Sequence, residues 1–125
     1  MSGQGRLITA CFGDNRVLRI TPDSGDVFSP GALASPWFID LTVGPDDALY
    51  VGSYGGAWIG RYDPETNSNA PWATEPPGLP YPGGAISTGI AVTHQGEAFM
   101  TDVSSNLIFR NRDVDGNGDA LGVGE

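Results

Sequence analysis

Lysine is absent from this chain, cysteine and histidine occur once each, and no apolar run approaches a membrane span. Each shortage excludes something. A single cysteine, Cys11, rules out an intrachain disulfide framework and a cysteine-based zinc cluster. Its setting, LITACF, reads as that of a small buried hydrophobe. Six arginines against 15 acidic residues leave a formal charge of −9. Such a surface repels phosphate backbones and anionic lipid, so nucleic-acid partners are excluded. Without a run of ~20 apolar residues, insertion into a membrane by a helix is excluded too. The opening MSGQGRL has neither a basic stretch followed by an apolar core nor a cleavage pattern, so no signal peptide is read there.

What the chain has in quantity is glycine and proline, 19 and 10 of its 125 residues. Long helices are therefore not expected, and the length suits a single domain, 1–125. Three stretches superimpose without a gap: LITACFGDNRVLRITPDSG from Leu7, LYVGSYGGAWIGRYDPETN from Leu49 and AFMTDVSSNLIFRNRDVDG from Ala98. Arg19, Arg61 and Arg110 fall in one column, 42 and then 49 residues apart. Each copy reads as a short apolar strand, a loop of small residues, a second strand ending in arginine and a polar turn. A further strand precedes the second and third copies, FIDLTV and STGIAV. Periods of this size with several strands per unit belong to β-propeller blades. LITA, LYVG and AFMT are apolar at consecutive positions, as strands covered on both faces are.

The expected fold is all-β: a propeller segment of about three four-stranded antiparallel blades, forming an incomplete ring. Blade one covers 1–36, blade two 37–86 with a Pro/Gly-rich insertion at 69–84, and blade three 87–125. The register starts blade one at its first turn, so that blade lacks its innermost strand. Closed propellers have about 4–8 blades. The chain is therefore expected to be a fragment of a larger ring, or to self-associate through its open edges.

FIDLTVGPDDALYVGSYGGAWIGRYDPETN resembles a blade of the NHL-type, streptogramin-lyase-like and gluconolactonase-like propellers, through its G-P-D-D turn, L-Y-V strand and R-Y-D ending. The resemblance covers most of the chain and is specific for architecture rather than activity. It implies an extracellular or periplasmic setting. In the lyase-like enzymes it implies a histidine base working with a metal ion and acids. The only histidine, His94, aligns with Pro45 in a turn on the face opposite the usual ligand pocket, so no catalytic residue is assigned.

Two residue sets carry possible chemistry. Asp113, Asp115, Asn117 and Asp119 alternate with small residues in DVDGNGD, and four such oxygens suit a hard cation such as calcium. Position twelve of an EF-hand loop would be glutamate and here is Gly124, so the cage is incomplete; the alternative is a polar turn equivalent to PDSG and PETN. On the ligand face, loops carry Asp14, Asn15, Trp37, Asp40, Tyr54, Asp102 and Asn106, which could line a central site or be ordinary loop polarity. Trp58 reads as interblade packing, and Trp72 and Tyr81 as parts of a Pro/Gly-rich spacer. Together these readings give a non-catalytic binding or scaffold module, with calcium as its candidate stabilising ion, whose partner is a protein or further blades. Part of a metal-dependent lyase or lactone hydrolase is the alternative, and a structural unit assembling through exposed blade edges is the second.

Overall fold

The computed structural model describes residues 7–11, 16–20, 25–28, 38–53, 59–66, 68–73, 87–103 and 105–121. Their elements are ten strands: β1 Leu7–Cys11, β2 Arg16–Ile20, β3 Gly25–Phe28, β4 Phe38–Val43, β5 Leu49–Ser53, β6 Ile59–Asp63, β7 Ser68–Ala73, β8 Ser87–Val92, β9 Ala98–Asp102 and β10 Leu107–Asn111. They form three antiparallel sheets, ordered β1-β2-β3, β4-β5-β6-β7 and β8-β9-β10. All three are open. The inner strands pack in succession, β1 against β4 and β4 against β8.

The repeat columns hold in three dimensions. Arg19 pairs with Ile8, Arg61 with Tyr50 and Arg110 with Phe99, the same rung of each sheet. The hairpins joining β4 to β5 and β8 to β9 are alike as well. The Gly44 amide donates to Ala48 O at 2.8 Å and the Asp47 amide to Gly44 O at 3.1 Å; Thr93, Glu97 and Gly96 repeat the pattern. Asp47 and Gly96, at φ 60 and 82, occupy the left-handed position that ends this three-residue loop. A β-carbon at Gly44 would run into the Tyr50 ring and the Asp46 carboxylate, which is why glycine stands there.

Among the described residues the sheets have three, four and three strands, the first lacking an inner strand as expected and the third a paired outer one. β1–β3 match β5–β7 by register, leaving out the innermost strand, while β8–β10 match β4–β6. Residues 117–121, which align with β7, do not pair with β10. Instead Ala120 bridges Ala73 in parallel, and its amide donates to Trp72 O at 2.6 Å. The amides of Gly116, Asn117 and Gly118 donate to the Asp113 carboxylate and bend the chain into that path. β7 itself begins at Ser68, so the segment expected as an insertion opens as an outer strand. Pro71 is tolerated because β7 pairs on one side only with a full strand.

The core fills the space between the second and third sheets: Ala48, Tyr50, Ile59, Trp72 and Ala73 against Ile90, Ala98, Met100 and Ala120. Tyr50 and Trp72 meet edge to face, centroids 5.1 Å apart at 85°. Trp72, expected in a spacer, is 3% exposed. β5 is buried at Leu49, Tyr50, Val51 and Gly52, as an interior blade strand should be. β9 instead alternates, burying Ala98, Met100 and Asp102 but not Phe99 or Thr101. Among the described residues no sheet covers that second face, so the expectation of two buried faces fails there.

Candidate functional site

The described hairpins run between the same two ends of the sheet stack, so chemistry collects at two separate places. One end holds the starts of β4 and β8 and the finish of β9. β-Bulges lie at equivalent points, between Phe38 and Asp40 and between Ser87 and Gly89. At the first bulge Asp40 turns its carboxylate across to the neighbouring sheet. One oxygen accepts the Ile90 amide at 3.1 Å and the other accepts the Leu41 amide at 2.9 Å. Asp102 is 4% exposed and accepts from the amide of Ser105 at 3.0 Å and from its hydroxyl. Both acids therefore serve as structural acceptors, binding sheet to sheet and closing a loop. Asn106 is exposed, at φ 57, beside that loop. Of the residues expected on this face, Asp14, Asn15, Trp37 and Tyr54 lie outside the described residues, as do Trp58 and Tyr81. Among the described residues no three His, Cys, Asp or Glu side chains meet to hold an ion.

The opposite end holds the β4–β5 and β8–β9 hairpins, the β6–β7 turn and the chain leaving β10. His94 lies here, exposed in its hairpin. In the second and third sheets the arginine column works at this end by fastening the sheet to its own first hairpin. Arg61 donates through Nε at 2.8 Å and a terminal nitrogen at 2.6 Å to one Asp46 oxygen. Arg110 pairs with Glu97 in the same way, from a different sequence position. The Tyr50 hydroxyl also reaches Asp46, at 3.3 Å. Burial, and then the Asp46 charge, push the Tyr50 phenol up. For Arg61 burial acts downwards, but the hydrogen bond and charge of Asp46 outweigh it and hold the guanidinium above its ordinary value.

The alternating acids after β10 form a chain of self-caps. Asp115 accepts the Asn117 amide at 3.1 Å, Asn117 accepts the Asp119 amide at 2.9 Å, and Asp119 accepts the Leu121 amide at 3.1 Å. Asp113 holds three amides, and first of all that of Gly118 holds its pKa below the usual carboxylate range. Asp63 does the same for the amides of Glu65 and Thr66, and is lowered likewise. The Asp113–Asp119 segment is thus a satisfied turn that keeps further carboxylate lone pairs facing outwards.

Between the two hairpins at this end lies a cleft of about 580 Å³. One wall comes from Asp46, Tyr50, Arg61 and Trp72, the other from Gln95 and Glu97, and Arg112 and Asp113 close it. Sequence reasoning missed it. The arginine column was visible, but the converging side chains come from different repeat columns.

No family model and no curated protein matches the chain. Solved structures do. The chain superposes on a catalytically inactive variant of virginiamycin B lyase from Staphylococcus aureus, with quinupristin, at TM-score 0.72 and 23% identity, covering 94% of this chain and 36% of that one. Selenomethionine-substituted virginiamycin B lyase from the same organism gives TM-score 0.65 and 19% identity, over 93% and 40%. At such identities the likeness is one of fold, that of a lyase-type β-propeller, and the chain spans well under half of each matched chain. The expectation of a non-catalytic binding or scaffold module, and the leaning against an enzyme, are corrected by this. Both of these matched propellers are virginiamycin B lyases, so the architecture supplies no ground for a non-catalytic assignment.

Proposed function

We propose that the chain is an arc of a lyase-type β-propeller, part of a metal-dependent lyase or of a lactone hydrolase with the same architecture. The observation that carries this reading is a superposition over 94% of this chain but 36% of a virginiamycin B lyase. In it, β4–β7 is the complete blade, and β1–β3 and β8–β10 are blades that further strands complete to four. The ligand lies at the end marked by Asp40, Asp102 and Asn106, where bulges open the inner strands.

A catalytic metal does not fit the described residues by themselves. Asp40 and Asp102 already accept backbone amides, and no cluster of three ligating side chains is present among the described residues. The arc's own contribution is to shape and orient. Asp40 fixes the angle between two blades, Asp102 fixes the β9–β10 loop, and that loop presents Asn106 to the ligand. The acid and base of the reaction come from the remainder of the ring, since His94 sits at the other end. Calcium enters this reading as a structural ion on the outward oxygens of Asp113, Asp115, Asn117 and Asp119.

Saturation-transfer NMR between the chain and quinupristin tests the proposal. Contacts are expected at quinupristin protons and are expected to weaken when Asn106 is replaced by alanine, with no turnover by the arc alone. Absence of any transfer from a folded chain would remove the lyase reading.

A further inference from the structure

The cleft at the hairpin end lies apart from the face of the lyase reading, and most of its charged side chains are already paired. Asp46 is held by Arg61 and Glu97 by Arg110. The Asp113 carboxylate is spread over three backbone amides. That leaves Arg112, an exposed guanidinium on the cleft lining that makes no ion pair or hydrogen bond with the described residues. Gln95, also exposed on the lining, contributes a side-chain amide that makes no hydrogen bond with the described residues. Behind them the cleft ends on Tyr50 and Trp72.

We propose that this interblade cleft binds a small organic monocarboxylate, its anionic head on Arg112 and Gln95 and its apolar body towards Tyr50 and Trp72. A free guanidinium presents a planar fork of donors matched to a carboxylate, and the glutamine amide adds a third donor. A dianion such as a phosphate monoester is disfavoured. One uncompensated cation offsets one charge, while Asp46, Glu97 and the overall −9 oppose a second. A cation is disfavoured by Arg112 itself. The volume, about 580 Å³, falls in the range of small-molecule sites. Both walls belong to different sheets, so a bound carboxylate also bridges the second and third blades.

The test is ¹H–¹⁵N NMR titration of the whole chain with phenylacetate, phenyl phosphate and phenethylamine. Phenylacetate is expected to bind with a Kd on the order of millimolar, as suits a ligand of this size, and to shift the amides of Gln95, Gly96, Arg112 and Gly118. Arg112→Gln is expected to weaken it about tenfold, the scale of one charge-assisted hydrogen bond. Arg16→Gln, on a strand of the first sheet, is expected to leave it unchanged. A spectrum that stays dispersed in the Arg112 variant confirms that folding is intact. The proposal is overturned by no shift up to about 10 mM phenylacetate, by tighter binding of the phosphate or the amine, or by equal loss in both variants.

Discussion

An aspartate opens each of the two described turns that leave an arginine-column strand, and both carboxylates are set by backbone amides rather than by cations. Asp63 takes the amides of Glu65 and Thr66, and Asp113 those of Gly118, Gly116 and Asn117. Their pKa values are lowered on folding, so the stabilisation is present above the unfolded value of about 3.9 and is lost as pH falls through the folded values. The midpoint of thermal unfolding is therefore expected to drop as pH is lowered from about 5 to about 2.5. The double change Asp63→Asn and Asp113→Asn should flatten that slope in scanning calorimetry; an unchanged slope would show that these caps are not coupled to folding. A separate measurement addresses calcium. Added calcium is expected to raise the midpoint, and Asp115→Ala to abolish the rise; no rise in the unaltered chain contradicts a calcium site. What was legible at this scale was residue type and spacing: DVDGNGD announced a tight polar turn rich in side-chain oxygens. Its use as a chain of amide caps was not, because hydrogen-bond direction depends on backbone angles such as the positive φ of Gly116 and Gly118.

Among the elements, the strands and their order were legible because period, turn chemistry and the arginine column agree. The columns also explain where the reading failed. Ile59 and Ile108 share a column, as do Trp72 and Leu121, yet Ile59 and Trp72 are 0% and 3% exposed while Ile108 and Leu121 are 69% and 42%. The same apolar signal thus produced a covered strand in β6 and an uncovered one in β10. What differs is the neighbour, and a neighbour is not written in the local sequence. Tyr62 and Asn111 make a similar pair. Tyr62 fills its interior place, whereas the Asn111 amide nitrogen is buried without a partner among the described residues, a cost of about 1–3 kcal/mol. Trp72 was mistaken for part of a spacer because Pro71 and the prolines after it signal irregular chain. The strand survives on the strength of a ring that fills the interblade core against Tyr50. The candidate ligand face was legible only as an end of the blades. Asp40 and Asp102 reach it, but their oxygens are committed to Ile90 and Ser105 by bulges and loops that no spacing rule foretells.

For the whole molecule, the central claim is that these sheets form an arc of a larger propeller. Phe99, Thr101, Ile108 and Arg110 lie on the face of the third sheet that corresponds to the face of the second packed against the third. Covering one large aliphatic side chain is worth about 1.5–3 kcal/mol, so an uncovered blade face favours a partner sheet despite the charge of −9. Native mass spectrometry of the 13.0 kDa chain tests this most directly, with Ile108→Asp as the companion variant. Species larger than one chain are expected, shifting towards the monomer in the variant, whose altered side chain is exposed and leaves the described core intact. A chain that stays monomeric at all concentrations and unfolds cooperatively would contradict the account.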